Sequence, residues 1–184
     1  MLYRLVWLCL LPLIAVPAWG NDWGELPPGY TWYENEAMRV AIPVPDGWHV
    51  KVEAHDGTQA LFVSKEDIAA EGQFQTGFTL NYFEQFSKRE SAGPTRFAAA
   101  FVLQIQKTKE VVQEPWVEKL EQGITGIGIR WRDPRNSPAL VHYYLISDDA
   151  EDSLRLSIFE APEAQWEQAW KHGAVMLDRA QFWK

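Results

Sequence analysis

Between Val111 and Glu160 the chain carries four strand-like runs in succession, and nothing else in it restricts the fold as tightly. The runs are Val111 to Leu120, Ile124 to Asp133, Ala139 to Ser147 and Leu154 to Glu160. The short links between them contain Gln122-Gly123, Pro134-Arg135-Asn136-Ser137-Pro138 and Asp148-Asp149-Ala150-Glu151-Asp152-Ser153. A parallel pair needs a crossover of about a dozen residues or more, which links this short and this rich in turn formers cannot supply. The strands must therefore pair antiparallel, as a meander.

Upstream, Met38, Val40 and Ile42 alternate with Arg39 and Ala41, and Pro43 and Pro45 interrupt the pattern. Asp46-Gly47 is a turn pair, after which Trp48, Val50 and Val52 resume the alternation, so a hairpin with a core indole just past its turn is expected. Further short strands are predicted at Ala60 to Lys65 and Gly77 to Gln85, with a loop or a single helical turn over Glu66 to Thr76. From Arg96 to Thr108, Phe97, Phe101 and Ile105 recur every fourth residue beside Ala98 and Val102, the stripe of an amphipathic helix started by Pro94 or Thr95. A second helix is predicted from Pro162, with Trp166, Ala169, Trp170, Gly173, Met176 and Leu177 on its buried face.

The first twenty residues read as an export signal: Arg4 precedes an apolar run from Leu5 to Ala15, and small residues place cleavage after Ala18 or Gly20. The run is shorter than the roughly 20 residues that span a bilayer, so no stable transmembrane anchor is expected after processing, and the location implied is periplasmic or secreted. The single cysteine, Cys9, lies in this segment, leaving the mature chain without disulfide or thiolate chemistry. Residues 21–35, with Trp23, Trp32 and Tyr33, are expected to form an extended N-terminal arm, and residues 36–184 a single domain. Loss of Arg4 leaves 16 basic residues against 25 acidic ones, a mature charge of −9. A surface of that sign excludes nucleic acid as a natural partner, because phosphates demand basic patches.

The order of elements, with a strand ending in Pro45-Asp46-Gly47-Trp48, resembles the PsbP/Mog-like fold, also seen in DcrB-like bacterial envelope proteins. The resemblance implies an α+β domain, an antiparallel β-sheet flanked by two long helices as an α/β/α sandwich. It also implies a non-enzymatic binding module, since a photosystem accessory protein, a Ran-binding protein and chaperones for secreted effectors share that architecture. It supplies no functional residue, and fold alone does not carry function.

Candidate sites are few. His49, His55, His142 and His172 lack the spacing of zinc ligands, and His49 and His142 are expected on the solvent side of strands. Gly126-Ile127-Gly128 fails the dinucleotide fingerprint; its two glycines share one strand face, which is read as a place for a helix, or less readily a ligand, to approach closely. Asp148, Asp149, Glu151 and Asp152 crowd one turn, a set of carboxylates that suits a hard cation, but the glycine and distant glutamate of a calcium loop are missing; a solvated hairpin tip is the better reading. No G-x-S-x-G elbow occurs, and no metal or cofactor is expected. What remains is a cluster rich in the residue types that dominate protein interfaces: Arg130, Trp131, Arg132 and Arg135, opposite His142 and Tyr144 if their strands pair. The sequence thus points to an exported binding or accessory protein with a protein or envelope partner. The alternatives are an immunity-type inhibitor whose acidic surface neutralises a basic toxin, and an enzyme of unrecognised type.

Overall fold

A computed structural model describes residues 23–55, 58–70, 72–120, 123–134 and 138–183. The export signal and, among the candidate residues, Arg135 lie outside the described residues. The fold is α+β. The described residues form the strands β1 (Tyr30–Asn35), β2 (Val40–Pro45), β3 (His49–His55), β4 (Thr58–Ser64), β5 (Gly77–Phe83), β6 (Glu110–Lys119), β7 (Thr125–Asp133), β8 (Ala139–Asp148), β9 (Ser153–Pro162) and β10 (Gln181–Phe182). The helices are α1 (Pro94–Thr108) and α2 (Trp166–Arg179), of 15 and 14 residues.

Seven strands form one antiparallel sheet in the order β3-β4-β5-β9-β8-β7-β6. The meander from β6 to β9 is present as its pattern demands, and β9 closes the sheet by pairing with β5, Phe78 opposite Phe159 and Leu80 opposite Ser157. The hairpin expected across Asp46-Gly47 does not form. Instead β2 pairs with β1 and β10 in a separate three-stranded sheet, while β3 joins β4 in the large one. The hairpin partner of β2 is thus β1, which lies within the segment read as an arm. They are joined by a tight turn in which the Arg39 N–H donates to the Glu36 carbonyl and the Asn35 side chain accepts from the Met38 N–H. Pro43 and Pro45 are tolerated in β2 because β10 covers only Val40 and Ala41, so their missing donors fall beyond its reach.

The two faces of the large sheet are covered differently. Helix α1 packs on β6 to β9, where Ala98, Val102 and Ile105 meet Ile129, Val141 and Leu145. Its first turn is held from the β8–β9 turn, where Asp149 accepts the Thr95 N–H at 3.0 Å. On the opposite face α2 lies over β9, β5 and β2, and Met38, Ile42, Phe78 and Phe159 form the second core with Trp166 and Met176. Gly173 lets α2 settle directly on the Phe159 ring, since a Cβ there would come within 2.8 Å of it. The simple sandwich of one sheet between two long helices is therefore corrected in two respects. A small second sheet shares a layer with α2, and α2 leaves the β6–β8 part of that face without a helix of its own. Pro162 ends β9 rather than opening the helix, and a short 3₁₀ turn at Glu163–Gln165 leads into α2. The indole of Trp48 is half-buried at the edge of the second core, 5.3 Å from the His172 ring, rather than within it.

The acidic turn is a structural device. The Asp148 carboxylate accepts the N–H groups of Ala150 and Glu151 at 3.0 and 3.1 Å, and Asp152 accepts the Ser87 N–H at 2.9 Å and its hydroxyl at 2.7 Å. With Asp149 on α1, three of the four carboxylates expected at a solvated tip are spent on holding chain segments together. The described residues contain no cluster of three or more acidic, histidine or cysteine side chains fit for a metal ion. No helix among them is long and apolar enough to cross a membrane.

Candidate functional site

Strand parity divides the predicted cluster. Arg130 and Arg132 on β7 pair with His142 and Leu140 on β8, and Gly128 pairs with Tyr144, so Arg130, Arg132, His142 and Tyr144 share the face that α2 leaves partly open. Trp131 points the other way. It is 5% exposed, packs beneath α1 against Tyr143, and carries Lys109 Nζ 4.6 Å from its ring, which makes it core.

Arg132 is spoken for. Its Nε and Nη2 donate to the Glu163 carboxylate at 3.1 and 2.6 Å and its Nη1 to Glu110, so it ties β7 to the 3₁₀ turn and to the start of β6. Two residues earlier, Arg130 has no carboxylate partner among the described residues and lies on a platform of indoles instead. Trp166 and Trp170, one helical turn apart on α2, stack at 5.2 Å, and the guanidinium sits 4.7 and 4.4 Å from their ring centroids. Its Nε is buried without an acceptor, and burial lowers its pKa below the ordinary arginine value. Its Nη2 lies 3.4 Å from Nδ1 of His142. Because a guanidinium only donates, that ring nitrogen accepts and the imidazole proton resides on Nε2.

His142 is not on the solvent side as expected. It is 5% exposed, wedged between Trp170 at 4.5 Å and Trp116 at 5.3 Å. Burial first, and then the Arg130 charge, push its pKa down to about 3, so the ring is neutral under ordinary conditions. Tyr144 stacks on Trp116 at 6.5 Å and donates its hydroxyl to Glu118; burial, followed by that carboxylate, raises the phenol above its usual range. These groups bound an open groove of about 610 Å³, with Gln113, Leu177 and Asp178 at its margins.

Trp116 and Trp170 are the members that sequence reasoning missed. In the sequence Trp170 belongs to a helical stripe of core type and Trp116 to an ordinary strand. The available signal is the bare face of Gly126 and Gly128, which side chains of the neighbouring strands cover in place of a helix. The Trp116 ring lies across Gly128, where any Cβ would overlap it, and Tyr144 and Glu118 fill the space over Gly126.

No protein-family model matches the sequence, and no curated protein matches it either. Solved structures do. Cyanobacterial PsbP (CyanoP) from Synechocystis sp. PCC 6803 is similar over 87% of this chain and 98% of its own, at 12% identity and a TM-score of 0.53. The chain has the PsbP/Mog-like fold. LpqN of Mycobacterium tuberculosis, a protein involved in cell envelope biogenesis, is similar over 79% of this chain and 83% of its own, at 9% identity and a TM-score of 0.50. The Saccharomyces cerevisiae Ran-binding protein Mog1p aligns over 83% and 95% at 12% identity, with a TM-score of 0.47. At these identities the likeness concerns the PsbP-like architecture alone, and the groove has to be read from its own chemistry.

Proposed function

We propose that this is an exported, non-catalytic binding protein of the cell envelope whose Arg130 groove receives a protein partner. The observation that carries the reading is Arg130 itself: a stacked guanidinium with a buried, acceptor-less Nε, at the floor of a groove walled by Trp116, Tyr144 and Trp170. Buried donors without acceptors cost free energy, and arginine framed by large aromatic rings is the composition of interface hot spots. A partner loop that brings a carbonyl or carboxylate to the guanidinium and an apolar side chain to the indoles satisfies both needs.

Acid–base catalysis fits this groove poorly. A histidine held neutral down to about pH 3 is a weak base near neutrality, and its free lone pair already faces Arg130. Strand addition at the β6 edge is disfavoured as well, because two register shifts interrupt that strand and Pro115 removes a donor. The envelope setting is supported by the leader-like N-terminus and by the PsbP-like architecture shared with LpqN, itself involved in envelope biogenesis.

The test is capture of partners from the cell envelope by tagged mature protein at low and high salt, with Arg130→Met and Trp116→Ala in parallel. One stoichiometric partner, lost with both substitutions while thermal melting of the Arg130→Met protein is unchanged, is the expected result. Retention of that partner by both variants would move the interface elsewhere, and empty captures at both salts would reject a protein partner.

A further inference from the structure

A second buried arginine lies on the same sheet face, about four residues along β8 from His142 and outside the groove just described. Arg155 on β9 sits between Tyr82 on β5 and Ile146 on β8. It is 8% exposed, its guanidinium is 4.5 Å from the Tyr82 ring and 5.1 Å from that of Phe182, and its Nε is buried with no acceptor. Among the described residues none accepts a hydrogen bond from its side chain, and none forms an ion pair with it. The guanidinium lines a cavity of about 670 Å³.

The local carboxylates explain why it is left unpaired. Glu84 is held by Arg39 at 3.2 Å and by the Tyr82 hydroxyl at 3.1 Å. Asp148 is turned toward the N–H groups of Ala150 and Glu151. A desolvated guanidinium with five donors and no acceptor is an expensive arrangement for folding alone, and its planar fork matches a carboxylate.

We propose that this cavity binds a monocarboxylate with an apolar body, its carboxylate taken by Arg155. The apolar part of the wall selects the body: Leu120, Ile124, Ile146 and Trp183 stand beside polar Gln85 and Ser153, and the volume falls in the range of small-molecule pockets, roughly 300 to 1,000 Å³. Three carboxylates line the wall, Glu84, Asp148 and Glu151, against Arg39 and Arg155, and with Arg39 held by Glu84 a second negative charge would find no free cation among the described residues, which separates a monocarboxylate from a phosphate dianion. A free aliphatic acid and the C-terminus of a peptide both present this chemistry.

Calorimetric titration of the mature protein distinguishes them, using octanoate against octanamide, and a tripeptide ending in phenylalanine with a free against an amidated C-terminus. The expected result is binding of at least one acid and of neither neutral counterpart, reduced at least tenfold by Arg155→Met. Binding of the octanoate alone assigns a small acid, and of the peptide alone a chain terminus. Ile124→Trp, which adds bulk to the cavity wall and keeps the arginine, is expected to reduce binding equally and serves if Arg155→Met does not fold. Absence of binding by both acids, equal binding of the amides, or wild-type affinity in the folded variants would overturn the assignment.

Discussion

The two faces of the β6–β9 meander are built from the same strands and have opposite chemistry. Under α1 the odd positions of β7, Ile127, Ile129 and Trp131, join Val141, Leu145 and Leu154 in an apolar core. On the reverse, where α2 only borders β7 and β8 through Trp166 and Trp170, the even positions carry Arg130 and Arg132 opposite His142 and Leu140, and Arg155 lies two strands away. A helix laid over a sheet demands apolar side chains, because each buried polar group must find a partner. A face that a helix only borders can hold cations over aromatic rings, at the cost of unpaired donors that a bound molecule would satisfy.

The comparison breaks most visibly at Trp131. If it is core beneath α1, Trp131→Ala is expected to lower the free energy of unfolding by about 3 to 5 kcal/mol in urea titrations. A change under about 1 kcal/mol would mean that the indole belongs to a surface.

The reverse face is sharpened next by pH. His142 is neutral in the folded chain with a pKa near 3 and has an ordinary value of 6.5 when unfolded. The unfolded state therefore takes up its proton first. The stability this group contributes is complete above about pH 6.5 and is lost as pH falls toward 3, at roughly 1.4 kcal/mol per pH unit. Between pH 6 and pH 4 the loss is roughly 2 to 3 kcal/mol. His142→Gln, which keeps an acceptor near Arg130, is expected to flatten the slope of melting temperature over that interval. An unchanged slope would place the imidazole in solvent.

Gly128→Ala addresses the bare strand between the faces. The added methyl must displace the Trp116 ring, at a cost of about 1 to 3 kcal/mol and with a red shift of tryptophan fluorescence as the indole leaves the groove. The smallest effect is expected at Arg132, whose ion pairs with Glu163 and Glu110 are partly exposed. Arg132→Ala is expected to lower the melting temperature slightly at low salt and not at high salt, and to spare partner capture. Loss of the partner with this variant would return Arg132 to the binding surface.

Periodicity made most of the elements legible. The four alternating runs from Val111 to Glu160 correspond to β6 to β9, and the four-residue stripe of Phe97, Phe101 and Ile105 to α1, since local backbone geometry dictates the face a residue occupies. The failure at Pro43 to Trp48 has an equally local cause. Asp46-Gly47 turns the chain, but a turn does not say whether the strands it joins stay in one sheet, and β2 finds its partners in Tyr30–Asn35 and at Gln181. At the candidate site, parity alone separates Trp131 from Arg130, whereas the residue types drew both into one cluster.

The chain by itself determined an antiparallel α+β domain, its two amphipathic helices, an acidic surface and the placing of Arg130, His142 and Tyr144 on neighbouring strands. Tertiary structure alone decided that α2 would bring Trp166 and Trp170 under Arg130 and that β10 would bring Phe182 to Arg155. Those contacts join segments tens of residues apart, and what places them is the docking of one apolar face on another, a force without direction that no local pattern of residues encodes.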